Sequence, residues 1–201
     1  MIEQLEYPAR AAAPAPFAAD DAACWLEHAA RHGTTRREAV ERFDRLPAVA
    51  LDEMTGRWRG GGLPTGHALD GLLEAHGWYG KSFDAQGNAH PLLFRQGAQV
   101  IAIDPRWIPM DAVGSNRLTR SPLARAGFAA ARRLMRTRSP QARLRLVSHC
   151  GIASAAMIYD RQPIIDLFRR VTPDVLMGMM DMRDQPPFFF TLRRTDGPAM
   201  A

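Results

Sequence analysis

A tryptophan set between two glycines, in the stretch Gly56–Gly60 (Gly-Arg-Trp-Arg-Gly), constrains the fold more than any other part of the sequence. Glycine lets neighbouring backbone pass close by or adopt positive φ. The indole of Trp58 supplies a large apolar plug with one N–H that needs a partner. This combination is typical of a chain that enters a closed or strongly bent sheet, and it predicts that Trp58 seals one end of the interior.

The bulk composition is that of a globular protein with a substantial core. The chain has 201 residues, of which 46% are apolar and 23% are charged, and this length fits one large or two small domains. The N-terminus carries acidic residues where a secretory signal would have basic ones, which predicts a cytoplasmic protein. The two cysteines, Cys24 and Cys150, provide no disulfide framework.

Basic charge is concentrated in one part of the chain. The formal charge is +5 and Lys81 is the only lysine, so almost all basic charge is arginine. No acidic residue occurs from Ala112 to Tyr159. The Arg120 to Arg145 stretch could contact an anionic membrane peripherally, or it could form an ordinary solvated face. Nucleic acid is an unfavourable partner because the arginines lack interleaved aromatic residues.

The first 48 residues predict a lead-in and two helices. Residues 1–16 are rich in Ala and Pro and predict a poorly ordered segment. Asp20 and Asp21 open a helix that Gly33 ends, and Thr35 starts a second helix through a capping-box pattern. Such a short pair has little core of its own, so we expect a cap or flap on the main domain.

The remainder predicts one β domain in two parts, residues 49–112 and 113–195. Short apolar runs separated by turn signals are typical of an antiparallel sheet, barrel or sandwich. Ser121 begins a possible basic helix with Phe128, Leu134 and Met135 on one side. The segment 164–171 also fits a helical stripe, although its short flanking turns favour a strand. The candidate strands are 78–83, 91–94, 100–103, 143–150, 152–159, 164–171, 175–182 and 188–194.

The stretch Gly56–Gly60, taken together with Trp78–Phe83 and the segment around Tyr159 and Asp166, resembles the family named for its GXWXG motif. The resemblance covers roughly residues 50–195. The family's Trp-x-Gly-Lys-x-Phe segment matches Trp78–Phe83. Its C-terminal domain of unknown function carries a pattern that falls on Tyr159, Asp160, Pro163, Ile164, Asp166, Phe168 and Arg169, continued by Gly178, Met180 and Asp181. The resemblance implies no known activity.

The Gly-x-Trp start of the first strand is similar to the signature of calycin β-barrels, such as lipocalins, fatty-acid-binding proteins and nitrobindin-like haem proteins. The resemblance implies that Trp58 packs across the closed end and that an arginine from a late strand, Arg193 or Arg194, stacks on it. It also implies an interior that holds an apolar small molecule. The predicted fold is therefore a mainly β, calycin-like antiparallel barrel with an N-terminal helix pair.

A ligand barrel needs an adaptable apolar wall with a few orienting polar groups. Methionines and phenylalanines of the last two strands could supply the wall, and plain barrel core is the alternative for each of them. The candidate ligand-binding residues are Arg57, Trp58, Lys81, His149, Tyr159, Asp160, Asp166, Phe168, Met177, Met179, Asp181 and Phe190.

Asp166 is the polar residue that packing explains least. It shares strand parity with Ile164 and Phe168, so an inward carboxylate follows if those two face inward. The alternative places Ile165 and Leu167 inside and Asp166 in solvent. An inward Asp166 needs a partner, for which Arg57, His149 and Tyr159 are candidates, and it could fix a ligand head or act as an acid or base.

His149 has two interpretations, a haem axial ligand as in nitrobindin-like proteins or a structural histidine. Neighbours on a strand face opposite ways, so we expect no pairing with Cys150. The helical spacing of Cys24, His28 and His32 offers no compact tetrahedral site, and no metal site is expected.

The leading hypothesis is an intracellular, non-enzymatic protein that binds a fatty acid or another lipid in the barrel. The alternatives are a small enzyme using Asp166 with His149 or Tyr159, and haem binding through His149. No cofactor is otherwise expected, and the oligomeric state stays open.

Overall fold

The computed structural model describes residues 19–108 and 121–196, and their strands form one antiparallel β-barrel. Eight strands close the ring in the order β2-β1-β9-β8-β7-β6-β5-β3, with β3 pairing back onto β2, while β4 extends the edge of β3. The strands are β1 (Gly56–Gly62), β2 (Trp78–Phe83), β3 (Asn88–Gln96), β4 (Gln99–Ala102), β5 (Ala142–His149), β6 (Ile152–Tyr159), β7 (Ile164–Thr172), β8 (Val175–Met182) and β9 (Phe188–Arg194).

The helices are α1 (Ala19–His32), α2 (Arg36–Arg45), α3 (Leu72–Ala75) and α4 (Pro122–Ala131), with single 3₁₀ turns at Asp52–Met54 and Pro105–Trp107. The mainly β, calycin-like prediction is confirmed. The ambiguous segment is strand β7, which pairs with both β6 and β8. The predicted lead-in of residues 1–16, together with Arg117 and Arg120, lies outside the described residues. Within the described part of the chain, no helix has the length and apolar character needed to cross a membrane.

Both faces of the strands β6 to β9 are buried. The inner face forms the barrel core, and the outer face lies beneath α1 and α2, where Leu26 and Phe43 join Leu167, Met177 and Phe189 in a second core. The helix pair therefore covers the side of the barrel.

Met177 and Met179 face this second core, so the prediction that they line the interior is wrong. Their strand neighbours Leu176, Met180 and Met182 occupy the inside instead. Every residue from Leu176 to Met180 is apolar or glycine. Alternation of polar and apolar residues therefore could not indicate which alternating residues of β8 face the barrel interior.

The helix start at Thr35 was predicted correctly. Thr35 Oγ1 accepts a hydrogen bond from the backbone N–H of Glu38 at 3.1 Å, which caps α2. The Glu38 carboxylate accepts hydrogen bonds from Trp25 Nε1 at 2.8 Å and from Thr34 Oγ1 at 2.7 Å. These bonds lower the pKa of Glu38 and hold α1 against the start of α2.

Trp58 closes one end of the barrel, as predicted. Its ring is fully buried, and its N–H donates to the carbonyl oxygen of Met54 at 2.8 Å. The guanidinium carbon of Arg194 lies 4.3 Å from the ring centroid, and the same group donates to the carbonyl oxygens of Glu53 and Thr55. Arg194 is thus the stacking arginine, whereas Arg193 forms an ion pair with Glu27 at 3.6 Å.

The helix that begins at Ser121 is shorter than predicted and ends at Ala131. Phe128 and Met135 pack against the barrel core, as expected. Leu134 is 89% exposed, so the prediction that it shares one side with Phe128 and Met135 is wrong. It follows the end of α4, where the helical spacing that placed it beside Phe128 no longer applies.

Candidate functional site

A small cavity lies at the end of the barrel opposite Trp58. Trp58 is near the start of β1, beside the end of β9, whereas the cavity is lined by Phe188 at the start of β9 and by Tyr159 at the end of β6. Its volume is about 60 Å³, room for a few water-sized groups. Apart from Lys81, Tyr159, Gln162, Asp166 and the Trp78 N–H, the walls are apolar.

The cover of the cavity is the segment between β1 and β2, which contributes Leu69, Leu72 and Leu73. Asp70 Oδ2 holds the turn by accepting from the backbone N–H groups of Thr65, at 2.9 Å, and His67, at 2.8 Å. His67 Nδ1 accepts from the backbone N–H of Leu69 at 3.1 Å. Burial lowers the pKa of His67, against the opposing charge of Asp70. A neutral imidazole is therefore part of the cover.

An ion pair lies at the inner end of the cavity. Lys81 Nζ, on β2, is 2.8 Å from Asp166 Oδ2, on β7, and the two side chains are 4% and 1% exposed. Lys81 Nζ also donates to the carbonyl oxygen of Pro91 at 3.2 Å. The Tyr159 hydroxyl lies 3.5 Å from both Lys81 Nζ and Asp166 Oδ2. Asp166 therefore faces inward, and its partners are Lys81 and Tyr159.

Burial dominates the electrostatics of this cluster. Desolvation raises the pKa of Asp166, while the Lys81 ammonium and the hydrogen bonds to the carboxylate oppose the rise. Desolvation and the neighbouring carboxylate raise the pKa of Tyr159 well above its usual value. Tyr159 is consequently a neutral hydroxyl, and Lys81 and Asp166 balance each other's charge inside an apolar barrel.

Aromatic rings surround the ammonium group of Lys81. The centroids of Phe190, Trp78 and Tyr159 lie 5.0, 5.7 and 5.8 Å from Nζ, within the range of cation–π attraction. Two glycines leave room for the rings. A Cβ atom at Gly60 would lie 2.2 Å from the Trp78 ring, and one at Gly178 would lie 2.2 Å from the Phe190 ring.

Trp78 reaches the interior through an irregularity in β2. The pairing of β2 with β3 shifts register between Trp78 and Gly80, which brings Trp78 and Lys81 to the same side of the strand despite their spacing of three. Gly80 has φ 143°, and a Cβ atom there would lie 1.9 Å from the carbonyl oxygen of Trp58. Strict alternation could not predict this, and Trp78 was missed as a site residue.

Two buried polar atoms at the cavity have no hydrogen-bond partner among the described residues, Asp166 Oδ1 and Trp78 Nε1. Both belong to residues that line the cavity. Unsatisfied buried polar atoms are uncommon in proteins, and an ordered water molecule or a ligand atom commonly supplies the missing hydrogen bond. Asp166 Oδ1 is an acceptor and Trp78 Nε1 is a donor, so a ligand with both donating and accepting groups suits the cavity.

The structure brings Lys81, Tyr159, Asp166 and Phe190 together at the cavity and separates the other predicted residues from it. Phe168 is buried in the barrel core against Phe83, and it does not line the cavity. Arg57, Asp160 and Asp181 also lie outside the cavity lining. Asp160 is exposed and pairs with Arg143, Asp181 is exposed on β8, and Arg57 is half-buried on β1.

His149 lies outside the cavity and far from Asp166 in the barrel wall. Its Nε2 atom is 3.1 Å from Asp44 Oδ1 of α2, and its ring packs against Phe43. Cys150 Sγ lies 3.6 Å from the same Nε2 atom and 3.7 Å from Asp44 Oδ2. The expectation that His149 and Cys150 face opposite ways, and so cannot form a nucleophile–base pair, fails in its premise, because Cys150 follows the end of β5 and occupies a turn with φ 49°.

The comparisons with known proteins agree with this architecture. Residues 41–98 match the family described as GXWXG protein, and residues 140–194 match a domain of unknown function, DUF4334. A crystal structure of a protein from Thermomonospora curvata is 35% identical to the chain, with a TM-score of 0.62. The match covers 87% of this chain and 99% of that chain. No curated protein matches the chain.

Proposed function

We propose that this chain, which belongs to the GXWXG protein family, is an intracellular protein that binds an apolar or amphipathic small molecule in its barrel. The observation that carries the proposal is the apolar cavity lined by Asp166 and Trp78, whose Oδ1 and Nε1 atoms are buried without partners among the described residues. Ligand sites combine apolar walls with a few convergent polar groups of this kind.

The polar end of the ligand is neutral. Lys81 already balances the charge of Asp166, so a second carboxylate beside Asp166 would be buried without a counter-ion. A hydroxyl group, an amide or a protonated carboxyl can donate to Asp166 Oδ1 and accept from Trp78 Nε1. Among lipids, this favours a fatty alcohol or a protonated fatty acid over a fatty-acid anion.

The apolar end of the ligand requires the cover to move. The cavity measures about 60 Å³, whereas sites for whole small molecules measure roughly 300–1,000 Å³. The leucines of the cover, Leu69, Leu72 and Leu73, close the space above the polar atoms. Their displacement would extend the cavity out of the barrel and make room for an acyl chain.

The test is native mass spectrometry of protein purified from cells, followed by dye displacement with decanol, decanoate and decane. We expect decanol to displace the dye best. Trp78→Phe removes the donor and leaves more space in the cavity, so weaker decanol binding, by about ten-fold, would report the lost hydrogen bond and not a loss of room. Trp58→Phe, at the other end, is the matched control and should bind normally. A protein that emerges empty and ignores all three compounds would contradict the proposal.

The surface beside the cavity suits loading from an anionic membrane. Leu123 of α4, Leu134 and Trp107 are 83%, 89% and 51% exposed, and Arg125 and Arg133, which are close to the two leucines in the sequence, are exposed as well. Apolar side chains interspersed with arginines bind anionic bilayers through insertion and charge attraction.

Vesicle co-sedimentation tests this loading surface. The double variant Leu123→Ser/Leu134→Ser should bind anionic vesicles more weakly than the wild type. The control Leu146→Ser makes the same kind of replacement at a 57% exposed leucine of β5 and should bind them as the wild type does. Absence of binding to anionic vesicles would refute the membrane role, and equal binding to neutral vesicles would refute the part assigned to the arginines. Both outcomes would leave the cavity proposal intact.

The enzymatic alternative is restricted to Asp166 and Tyr159, whose polar atoms are 3.5 Å apart. The raised pKa of Asp166 suits an acid or base. A compound recovered from the protein should then change mass on incubation with the wild type, and Tyr159→Phe should bind it without converting it. Haem binding through His149 stays a prediction, and it would place the haem on the outer surface beside Asp44.

A further inference from the structure

We propose that Asp44, His149 and Cys150 form a binding site for a thiophilic divalent metal ion of the Zn²⁺ class. A carboxylate from α2 meets an imidazole and a thiol from the β5–β6 turn, and their ligand atoms all lie within 4.8 Å of one another. Carboxylate, imidazole and thiolate are the three groups that proteins use to bind zinc. The site is independent of the barrel cavity and of the function proposed for it.

Two of the separations, from His149 Nε2 to Asp44 Oδ1 and to Cys150 Sγ, are close to those between ligand atoms of a tetrahedral zinc site, while the Cys150 contact to Asp44 uses the other carboxylate oxygen. Zinc bonds of about 2.0 Å to nitrogen or oxygen and about 2.3 Å to sulfur place two ligand atoms about 3.3–3.6 Å apart at the tetrahedral angle. The observed separations are 3.1 Å from His149 Nε2 to Asp44 Oδ1 and 3.6 Å from Cys150 Sγ to the same nitrogen. Cys150 Sγ lies 3.7 Å from Asp44 Oδ2.

The arrangement differs from a nucleophile triad. In a triad the imidazole joins the nucleophile through one ring nitrogen and the carboxylate through the other. Here the thiol and the carboxylate both approach Nε2 of His149. Three ligand atoms that converge on one point hold an ion, whereas a proton relay needs them in a line.

The backbone of the turn holds Cys150 in the left-handed conformation. Cys150 and Gly151 have φ values of 49° and 69° and join His149 to Ile152, which are paired across the hairpin. Asn-Gly is the favoured sequence for such a turn, because asparagine tolerates the left-handed conformation better than cysteine. The cysteine therefore occupies a position that the local conformation disfavours for it.

A fourth position is open to solvent. The side chains of His149 and Asp44 are 30% and 26% exposed and Cys150 is exposed, so an ion and a water molecule have access. Beneath them, the buried Arg169 donates to the carbonyl oxygen of His149 at 3.0 Å and lies in Coulombic range of Asp44 and Cys150. Its positive charge favours water, hydroxide or a small anion as the fourth ligand.

Cobalt absorption spectroscopy tests the site on the full chain, with any purification tag removed and the protein reduced and stripped of metal. We expect one equivalent of Co²⁺ to give a thiolate charge-transfer band and tetrahedral visible bands, both displaced by Zn²⁺. Cys150→Asn should abolish the charge-transfer band, and His149→Gln and Asp44→Asn should each weaken Co²⁺ binding at least about 10-fold. Cys24→Ser, at the only other cysteine, should leave the spectrum unchanged.

Cys150→Asn keeps the experiment interpretable because asparagine suits the turn and the protein should fold. Zn²⁺ should raise the melting temperature of the wild type and of Cys24→Ser, but not that of Cys150→Asn. Absence of a thiolate band in the wild type, its persistence in Cys150→Asn or its loss in Cys24→Ser would each overturn the proposal.

Discussion

The ammonium nitrogen of Lys81 lies 2.8 Å from Asp166 Oδ2, and both side chains are almost completely buried. Removing two charges from water costs more than their attraction returns in many proteins, whereas breaking such a pair leaves one charge buried alone. The buried pair therefore adds little to the free energy of unfolding, but removal of one partner lowers that free energy strongly. A binding role for Asp166 Oδ1 supplies a reason to retain it.

A double-mutant cycle tests the pair. Lys81→Met and Asp166→Leu should each reduce the free energy of unfolding by about 3–5 kcal/mol, and the double variant should recover most of that loss. Urea denaturation measures all four proteins. The control is the Arg143–Asp160 pair, whose side chains are 48% and 35% exposed, and which should show a coupling of about 0–1 kcal/mol. Equal coupling in the two pairs would contradict the interpretation.

Replacement by phenylalanine should mainly reduce stability at Trp58 and mainly reduce ligand binding at Trp78. The Trp58 N–H donates to a buried carbonyl oxygen at 2.8 Å, so Trp58→Phe should cost about 1–3 kcal/mol of stability by leaving that oxygen unpaired. The Trp78 N–H has no partner among the described residues, so Trp78→Phe should cost less stability while weakening ligand binding. Urea denaturation and dye displacement on both variants check this, and a larger stability loss in Trp78→Phe would refute it.

The cover of the cavity should weaken in mild acid. Burial lowers the pKa of His67, with Asp70 opposing and Arg36 adding to the decrease, so the unfolded chain binds its proton more readily than the folded one. Stability therefore falls as the pH drops below the unfolded value of about 6.5. Protonation also removes the acceptor that holds Leu69 N–H.

His67→Asn tests this dependence, because the amide oxygen of asparagine can still accept a hydrogen bond but does not titrate. Melting temperatures between pH 7.5 and 5.5 should fall more for the wild type than for His67→Asn. His90 is the control, since burial lowers its pKa too but it lies on β3, outside the cover. Acidification should therefore release less dye from His67→Asn than from the wild type, and as much from His90→Asn as from the wild type. Identical profiles for the two variants would contradict the role of His67.

Most strands and helix starts could be predicted from the sequence, because turn signals and caps are local. Ile152–Tyr159, Val175–Met182 and Phe188–Arg194 begin and end where they were expected. The inward faces could not be predicted where helices bury the outer face as well. Met177 and Met179 are misplaced for that reason, since both of their possible environments are apolar.

The candidate site was predictable only in part. The alternation of side chains along a strand allowed Asp166 to face either the interior or the solvent. The family resemblance drew attention to Lys81, but no local pattern indicates that it contacts a residue 85 positions away in the sequence. Trp78 depends on a register shift beside Gly80. Asp44 reaches His149 only because α2 lies on the outer face of the barrel, which is a property of the tertiary fold.

Gly178 fixes the position of a ring at the cavity, and its replacement should be reversible by a change in that ring. A Cβ atom at Gly178 would lie 2.2 Å from the Phe190 ring, whose centroid is 5.0 Å from Lys81 Nζ. Gly178→Ala should therefore cost about 1–3 kcal/mol by overpacking and reduce dye binding, because Phe190 lines the cavity and a shift of its ring changes the shape of that cavity. Phe190→Leu in the Gly178→Ala background should restore part of both losses, since the smaller side chain clears the new methyl group.

Gly127→Ala in α4, where nothing lies within 4 Å, should instead stabilise the protein by about 0.5–1 kcal/mol. Urea denaturation and dye binding distinguish these outcomes, and simple additivity of Gly178→Ala and Phe190→Leu would show that the two residues do not share the space.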